Sequence, residues 1–302
     1  MSGEAYDITA LVSERELPQH VQMAWHGVND EWNLRQFLAS RVTWGECDVR
    51  ADPLGRLVLR HDSFEDTPWR VEERLLRLPE LLDAFGEYER GLKLDFKQAD
   101  HGLLPTALKL IDGRLPEDRL WFNATIEALG ESGFRELAVR YPTAIRQCPI
   151  DFLAPLVFSA PSRAEELLGM LRGWGINRFS IAWGTPHTRR LFDQLERWGH
   201  DVNIYAVPDL AAFLQAALLL PRSLTADFNF PQWHYFGRGS GERLNHYTYQ
   251  LDHRRSQLTE LSDGEGAKRA LGDRPGLAPN RQSSGSQRRQ RRRLRSHPNR
   301  VM

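Results

Sequence analysis

The run VTWGECDV (42–49), followed by LVLRH (57–61), ERLLRLPELLDAF (73–85) and LKLDFK (92–97), reads as strand, short excursion, amphipathic helix and strand. The same beat extends in both directions. VQMAWH (21–26) precedes it, and RLWFNATI (119–126), TAIRQC (143–148), NRFSIAW (177–183), VNIYAV (202–207) and SLTADF (223–228) follow. Helix-like stretches lie between them: LLPTALKLIDG (103–113), RAEELLGMLRGWG (163–175), TRRLFDQLERWG (188–199) and PDLAAFLQAALLL (208–220). Glycine or proline opens or closes most of these, as at Gly113, Pro161, Gly175, Gly199 and Pro208. Alternating strands and helices mean parallel strands joined by right-handed crossovers. With LVLRH set aside, eight strands remain in roughly 210 residues, which suits an α/β fold closed as a (β/α)8 TIM-type barrel. An open doubly wound sheet would usually carry a glycine-rich phosphate loop after its first strand, and WHGVNDEWN has one glycine. The cluster Gly237, Gly239, Gly241 follows the last strand and opens no βαβ unit, so it reads as an exit loop.

The chain has 302 residues, 41 % hydrophobic, 26 % charged and 10 % aromatic, enough apolar material for a sizeable core and too mixed for a coiled coil or a wholly disordered chain. The longest uncharged apolar run, around Leu210 to Leu220, is half of what a membrane span needs. No leader-like apolar stretch stands among the first twenty residues, and two cysteines, Cys47 and Cys148, make no disulfide framework, so a cytoplasmic protein is expected. The net charge of zero averages two regions. From Leu271 onward nine arginines face one acid, while residues 1–270 carry 31 basic against 39 acidic groups. Expected, therefore, are an N-terminal extension (1–20), a barrel domain (21–242) and a disordered, arginine-rich tail (243–302). Such a tail could grip nucleic acid or anionic lipid, but a solvated basic terminus with weak attraction to polyanions is the favoured reading.

Reactive groups of a barrel belong at the C-terminal ends of its strands. His26 ends the first, Glu46 and Asp48 lie near the end of the second, His61 ends the excursion, and Asp95 and Lys97 end the next. Residues two apart share a face, so Glu46 and Asp48 point together while Cys47 points away, and Asp95 pairs with Lys97 likewise. Buried carboxylates need positive charge among them. A hard divalent cation, Mg²⁺ or Ca²⁺, suits an all-oxygen set of Glu46, Asp48 and Asp95. The competing reading is a salt-bridge cluster in which Lys93, Lys97 and Arg50 neutralise the acids. Two histidines either side of a phosphate could exchange protons near neutrality. Asn29, Asn123 and Tyr205 are expected at the same mouth as contacts to phosphate or substrate, each competing with a turn or packing role. Asp62 reads as a partner of His61 or a turn residue, and Asp151 and Asp209 as caps or loop residues.

Taken together, WHGVN (25–29), GECDVR (45–50), LRHD (59–62) and GLKLDFK (91–97) resemble the phospholipase-C-like phosphodiesterase superfamily, which includes the glycerophosphodiester phosphodiesterases. Within it the sequence is most similar to the menorin family, through His26 with Val28 and Asn29, the acidic second strand, GLKLDFK, WFNATI (121–126) and RYPTA (140–144). The resemblance covers roughly residues 22–230. It implies a barrel in which Glu46, Asp48 and Asp95 hold Mg²⁺ or Ca²⁺, Lys97 contacts phosphate, and His26 and His61 exchange protons with a phosphodiester. The substrate class implied is a small-molecule or lipid phosphodiester. Where the glycerophosphodiesterases carry Trp-Thr-Val-Asn after the seventh strand, this chain has Tyr205-Ala206-Val207-Pro208. The alternative is a catalytically silent, menorin-like binding protein built on the same barrel.

Overall fold

The computed structural model describes residues 21–226 except 41, 70–72 and 100–101; the expected N-terminal extension and arginine-rich tail lie outside the described residues. Nine strands run in chain order: β1 Gln22–Trp25, β2 Trp44–Ala51, β3 Leu57–Leu59, β4 Gly91–Phe96, β5 Leu120–Ala124, β6 Ile145–Pro149, β7 Arg178–Ala182, β8 Val202–Val207 and β9 Ser223–Ala226. Eight of them are parallel neighbours in the order β1-β9-β8-β7-β6-β5-β4-β2, and β1 pairs with β2 to close the ring. The barrel expected from the alternating pattern is therefore what forms. LVLRH is the excursion anticipated: β3 lies antiparallel on β2, with Val49 opposite Leu59.

Eight helices surround it among the described residues: α1 Glu31–Ala39, α2 Leu78–Glu87, α3 Leu103–Ile111, α4 Ile126–Arg140, α5 Ala154–Ser159, α6 Pro161–Gly173, α7 Thr188–Arg197 and α8 Leu210–Ala217. Three of them, α1, α4 and the six-residue α5, have no counterpart among the helix-like stretches of the sequence. The buried face of α1 is Asn33, Gln36 and Phe37, so two of its three inward residues are amides and the apolar stripe is thin. Its start is nonetheless marked by Asp30, which accepts from the N–H groups of Trp32 and Asn33. In α4 the helix is broken at Gly130, whose φ of 61° and ψ of −176° interrupt the pattern. Asp209 caps α8, accepting from Ala212 N–H.

Strand alternation sorts the side chains. Cys47, Val49, Leu92, Leu94, Phe96, Leu120 and Phe122 face outward into the main core beneath the helices, where Phe37 stacks on Phe85 at 5.2 Å. The interior of the barrel departs from the usual Val, Ile and Leu filling. Ala24, Trp44, Trp121 and Ile145 form its apolar plug, with the two indoles edge to face at 5.5 Å. Gly91 leaves the room: a Cβ there would lie 2.6 Å from the Trp44 ring. Two buried cations flank Trp121, the Lys93 ammonium at 5.0 Å and the Arg178 guanidinium at 4.7 Å from its centroid. Hydrogen bonds fasten them to the far wall: Lys93 Nζ donates to Thr225 Oγ1, Thr225 and Ser223 donate to Asn203 Oδ1, and Arg178 donates to Ser223 and Gln22. The plug closes the lower barrel, so chemistry is confined to the mouth.

Candidate active site at the barrel mouth

Above the plug lies a cavity of about 340 Å³ whose lining includes His26, Glu46, His61, Lys93, Asp95, Lys97, Asn123, Gln147 and Tyr205. Its floor is a level row on four neighbouring strands, because Asp48 is in register with Asp95, Asp95 with Asn123, and Asn123 with Gln147. His26 follows β1, and the chain turns at Gly27, whose φ of 77° suits a residue without Cβ. That turn aims the Gly27 N–H at Glu46 Oε2, 2.9 Å away, and leaves His26 Nε2 3.6 Å from the same oxygen.

The two carboxylates of the row, Asp48 and Asp95, share one cation. Lys97 Nζ lies 2.5 Å from Asp95 and 3.0 Å from Asp48. Burial pushes the Asp48 carboxyl up, but Lys97, then His61 and His26, outweigh it and hold the group down at about 2. Glu46 fares differently: burial, partly offset by His26 and reinforced by Asp48, pushes it up to about 6. Lys97 is lowered by burial and raised further by Asp48 and Asp95, ending well above its ordinary value. Lys93, fully enclosed, is lowered by burial in spite of Glu46.

Most of the residues singled out in the sequence come together, though not all in the expected posture. His26, Glu46 and Asp48 each offer a donor atom within 4.8 Å of the others. Asp95 is not part of that group and is turned to Lys97. Of the cations assigned to neutralise the acids, Lys97 does so, whereas Arg50 donates through Nε and Nη2 to the His61 carbonyl at 2.9 and 2.7 Å. Asn29 is fully buried behind the wall, not on it, and bonds to Asp48. His61 lines the cavity with its Nδ1 3.0 Å from Asp62. Tyr205 also lines it, but its hydroxyl donates to Asp151, which burial and that carboxylate match by raising its pKa. Asp151 is thus a tie between loops, accepting from Ala182 N–H as well.

Three contributors were not legible as site residues. Arg60 is fully buried, ion-paired with Glu73 at 2.9 Å, and donates to the carbonyls of Asp62, Ser63 and Thr67, so it fixes the loop that carries His61. Gln147 extends the floor row beyond Asn123. Ala206, beside Tyr205, takes a φ of 56° at an irregularity in the β8–β9 register and also lines the cavity. A period-two reading of β6 would have found Gln147; nothing in the sequence marks Arg60 or Ala206.

No protein-family model and no curated protein sequence matches the chain. Solved structures do. A protein assigned as a glycerophosphoryl diester phosphodiesterase from Agrobacterium tumefaciens superposes with a TM-score of 0.53 at 15 % identity, over 68 % of this chain and 93 % of that one. The fold is that of a glycerophosphodiesterase-type barrel. An Oleispira antarctica phosphodiesterase, solved with the product sn-glycerol-3-phosphate, gives a TM-score of 0.52 at 15 % identity over 70 % of this chain and 93 % of its own. A third, from Silicibacter pomeroyi and assigned to the same activity, gives 0.52 at 14 % identity over 69 % and 90 %. No helix among the described residues is long and apolar enough to cross a membrane.

Proposed function

We propose that the chain is a metal-dependent phosphodiesterase acting on a glycerophosphodiester or a phospholipid-type diester. The observation that carries this reading is the meeting of His26, Glu46 and Asp48 within 4.8 Å at the mouth of a barrel of this kind. Glu46 supplies the test of fit: burial and the neighbouring Asp48 carboxylate push it up to about 6, and a divalent cation held between two such oxygens would favour its charged form. Glu46 and Asp48 would hold the ion, with Asp95 as a third oxygen once Lys97 turns from it to phosphate. A bound divalent cation would supply Lewis-acid stabilisation of the phosphoryl oxygens. Mg²⁺ or Ca²⁺ remains the assignment for an oxygen set, but the nearby imidazole requires that Mn²⁺ and Zn²⁺ be assayed alongside.

The remaining groups divide the proton work. Asp62 on Nδ1 of His61 fixes that ring with Nε2 available, so His61 is the base that takes the proton from the attacking water, or from a neighbouring substrate hydroxyl where the diester carries one. His26, with Nε2 3.6 Å from Glu46 Oε2, is the acid that protonates the departing oxygen. Lys97, held between Asp48 and Asp95 and kept fully charged, contacts the phosphate. The menorin likeness rests on the sequence motifs and carries the second reading, a silent barrel that binds without turnover.

The experiment is hydrolysis of bis-(p-nitrophenyl) phosphate and of glycerophosphodiesters by the purified chain with and without each divalent ion. Turnover that needs the ion is expected, falling at least about 100-fold in His61→Ala on both substrates and in His26→Ala on the glycerophosphodiesters, whose leaving oxygen needs the proton. Activity insensitive to chelator, or unchanged in both variants, would exclude the mechanism; no turnover on any diester would favour the binding reading.

A further inference from the structure

We infer that Lys93 is a fixed cation beneath the mouth, which loosens its hold on a divalent ion and tightens its hold on the phosphate anion. The inference rests on the phosphodiesterase reading above and concerns a buried cation that the proposed reaction leaves unused. Lys93 is 3 % exposed, lines the cavity, and stands beside Glu46 in the register of β4 on β2. Its ammonium donates to Thr225 Oγ1 at 3.1 Å and lies 5.0 Å from the Trp121 centroid, so it is held in place from two sides. Among the described residues it forms no ion pair, whereas Lys97 is paired with Asp48 and Asp95. The charge of Lys93 is therefore fixed in position and not matched at contact by any one acid.

A methionine would fill the same space on Trp121 without the cost of burying a charge, so anchoring the plug does not account for a lysine. The charge count does. Glu46, Asp48 and Asp95 against Lys93 and Lys97 leave the mouth one negative charge before the histidines are counted. A divalent ion turns that into one positive charge, which draws an anionic diester toward the loaded mouth. Without Lys93 the mouth would hold the ion more firmly, and the loaded mouth would be one unit less positive toward the phosphate. Because Lys93 is enclosed, dissolved salt screens its field weakly. One residue thus works against the first ligand and for the second.

The test is isothermal titration of the full chain with Mg²⁺, and of the ion-saturated chain with methyl phosphate, for the native protein, Lys93→Met, Thr225→Asp and Thr225→Val. Native protein should take up about one ion per chain. In Lys93→Met, Mg²⁺ should bind at least about ten-fold more tightly and methyl phosphate at least about ten-fold more weakly. Thr225→Asp sets a carboxylate against the ammonium and cancels its charge, so it should move both affinities in the same two directions. It decides the matter if thermal melts show that Lys93→Met is not folded. Thr225→Val removes the hydrogen bond and keeps the charge, and should leave both affinities within about three-fold. A purely structural lysine would instead weaken both ligands together. That outcome, or unchanged affinities in Lys93→Met and Thr225→Asp, would overturn the inference and leave the proposed reaction standing. No ion bound by the native protein would overturn both, and opposite shifts in a protein that hydrolyses no diester would refute the reaction alone.

Discussion

Asn29 holds Asp48 with both ends of one amide: its Nδ2 donates to Asp48 Oδ2 at 2.6 Å and its Oδ1 accepts the Asp48 N–H at 2.8 Å. The clamp links the loop after β1 to the middle of β2 and sets the direction of a carboxylate that has no exposure of its own. Asn29 is therefore a positioning residue. Asn29→Leu, similar in size, frees the carboxylate to rotate and leaves the Asp48 N–H unpaired. On the proposed reading of Asp48 as an ion ligand, affinity for Mg²⁺, read by calorimetric titration, should fall about 10- to 100-fold. Unchanged affinity in a folded variant would mean that Lys97 alone orients Asp48.

That clamp also marks how far the sequence could be read. GECDV and GLKLDF declare their two faces by simple alternation, so the placement of Glu46, Asp48 and Asp95 inside the barrel followed from period two. Asn29 could be brought near the acids from its place after β1, but not assigned to lining or support, because both uses demand the same polar side chain. Asp95 illustrates a second limit: whether a carboxylate joins two others or a lysine two residues away is decided by side-chain rotamers within one row. Lys93 shows a third. A lysine on an inward position of a central strand looks like a counter-ion for the acids, and only the closed ring reveals Thr225, on β9 beyond β2 and β1, as its hydrogen-bond partner.

Arg60 ties three carbonyls of the His61 loop and Glu73 with one planar group. Lysine cannot reproduce that fork. Arg60→Lys should lower turnover by a factor of about ten or more with a modest loss of stability. Arg60→Ala, which strands Glu73 nearly buried, should cost about 3–5 kcal/mol in chemical denaturation. Equal activity of Arg60→Lys and the native protein would show that the loop keeps His61 in place without this anchor.

His200, in the turn before β8, is a handle on acid stability away from the site. Its Nδ1 faces the Arg172 guanidinium at 3.3 Å and its ring meets Phe179 edge-on at 5.0 Å. Burial first and Arg172 second push it down to about 4. The unfolded chain takes up this proton near pH 6.5 and the folded chain near 4, so the contribution is complete above about 6.5 and is lost as pH falls through that interval. Between pH 7.5 and 4.5 the native Tm should fall more than that of His200→Gln. Parallel Tm profiles for the two proteins would contradict a neutral, buried imidazole.

Gly91 begins the strand that bears Lys93 and Asp95, and a methyl group there would meet the Trp44 ring at 2.6 Å. Trp44 cannot yield easily, since it packs edge to face on the Trp121 ring, which Lys93 and Arg178 flank. Gly91→Ala should cost about 1–3 kcal/mol and shift tryptophan emission as the plug moves. Gly91→Ala with native stability and native emission would mean that the interior plug tolerates expansion.

His26 separates two accounts of the acidic group. Its Nε2 is 3.6 Å from Glu46 Oε2, close enough either to ligate an ion shared with that carboxylate or to carry a proton beside it. The two roles use the same nitrogen and exclude each other. If His26 is the acid, His26→Ala should still bind about one ion per chain, since Glu46 and Asp48 remain, while turnover falls at least about 100-fold. A diester with a good leaving group should then recover most of the lost rate, because an oxygen that departs readily needs no proton. Loss of the ion together with the activity, and no recovery with p-nitrophenolate as the leaving group, would instead make His26 a ligand and leave His61 as the sole proton carrier of the mouth.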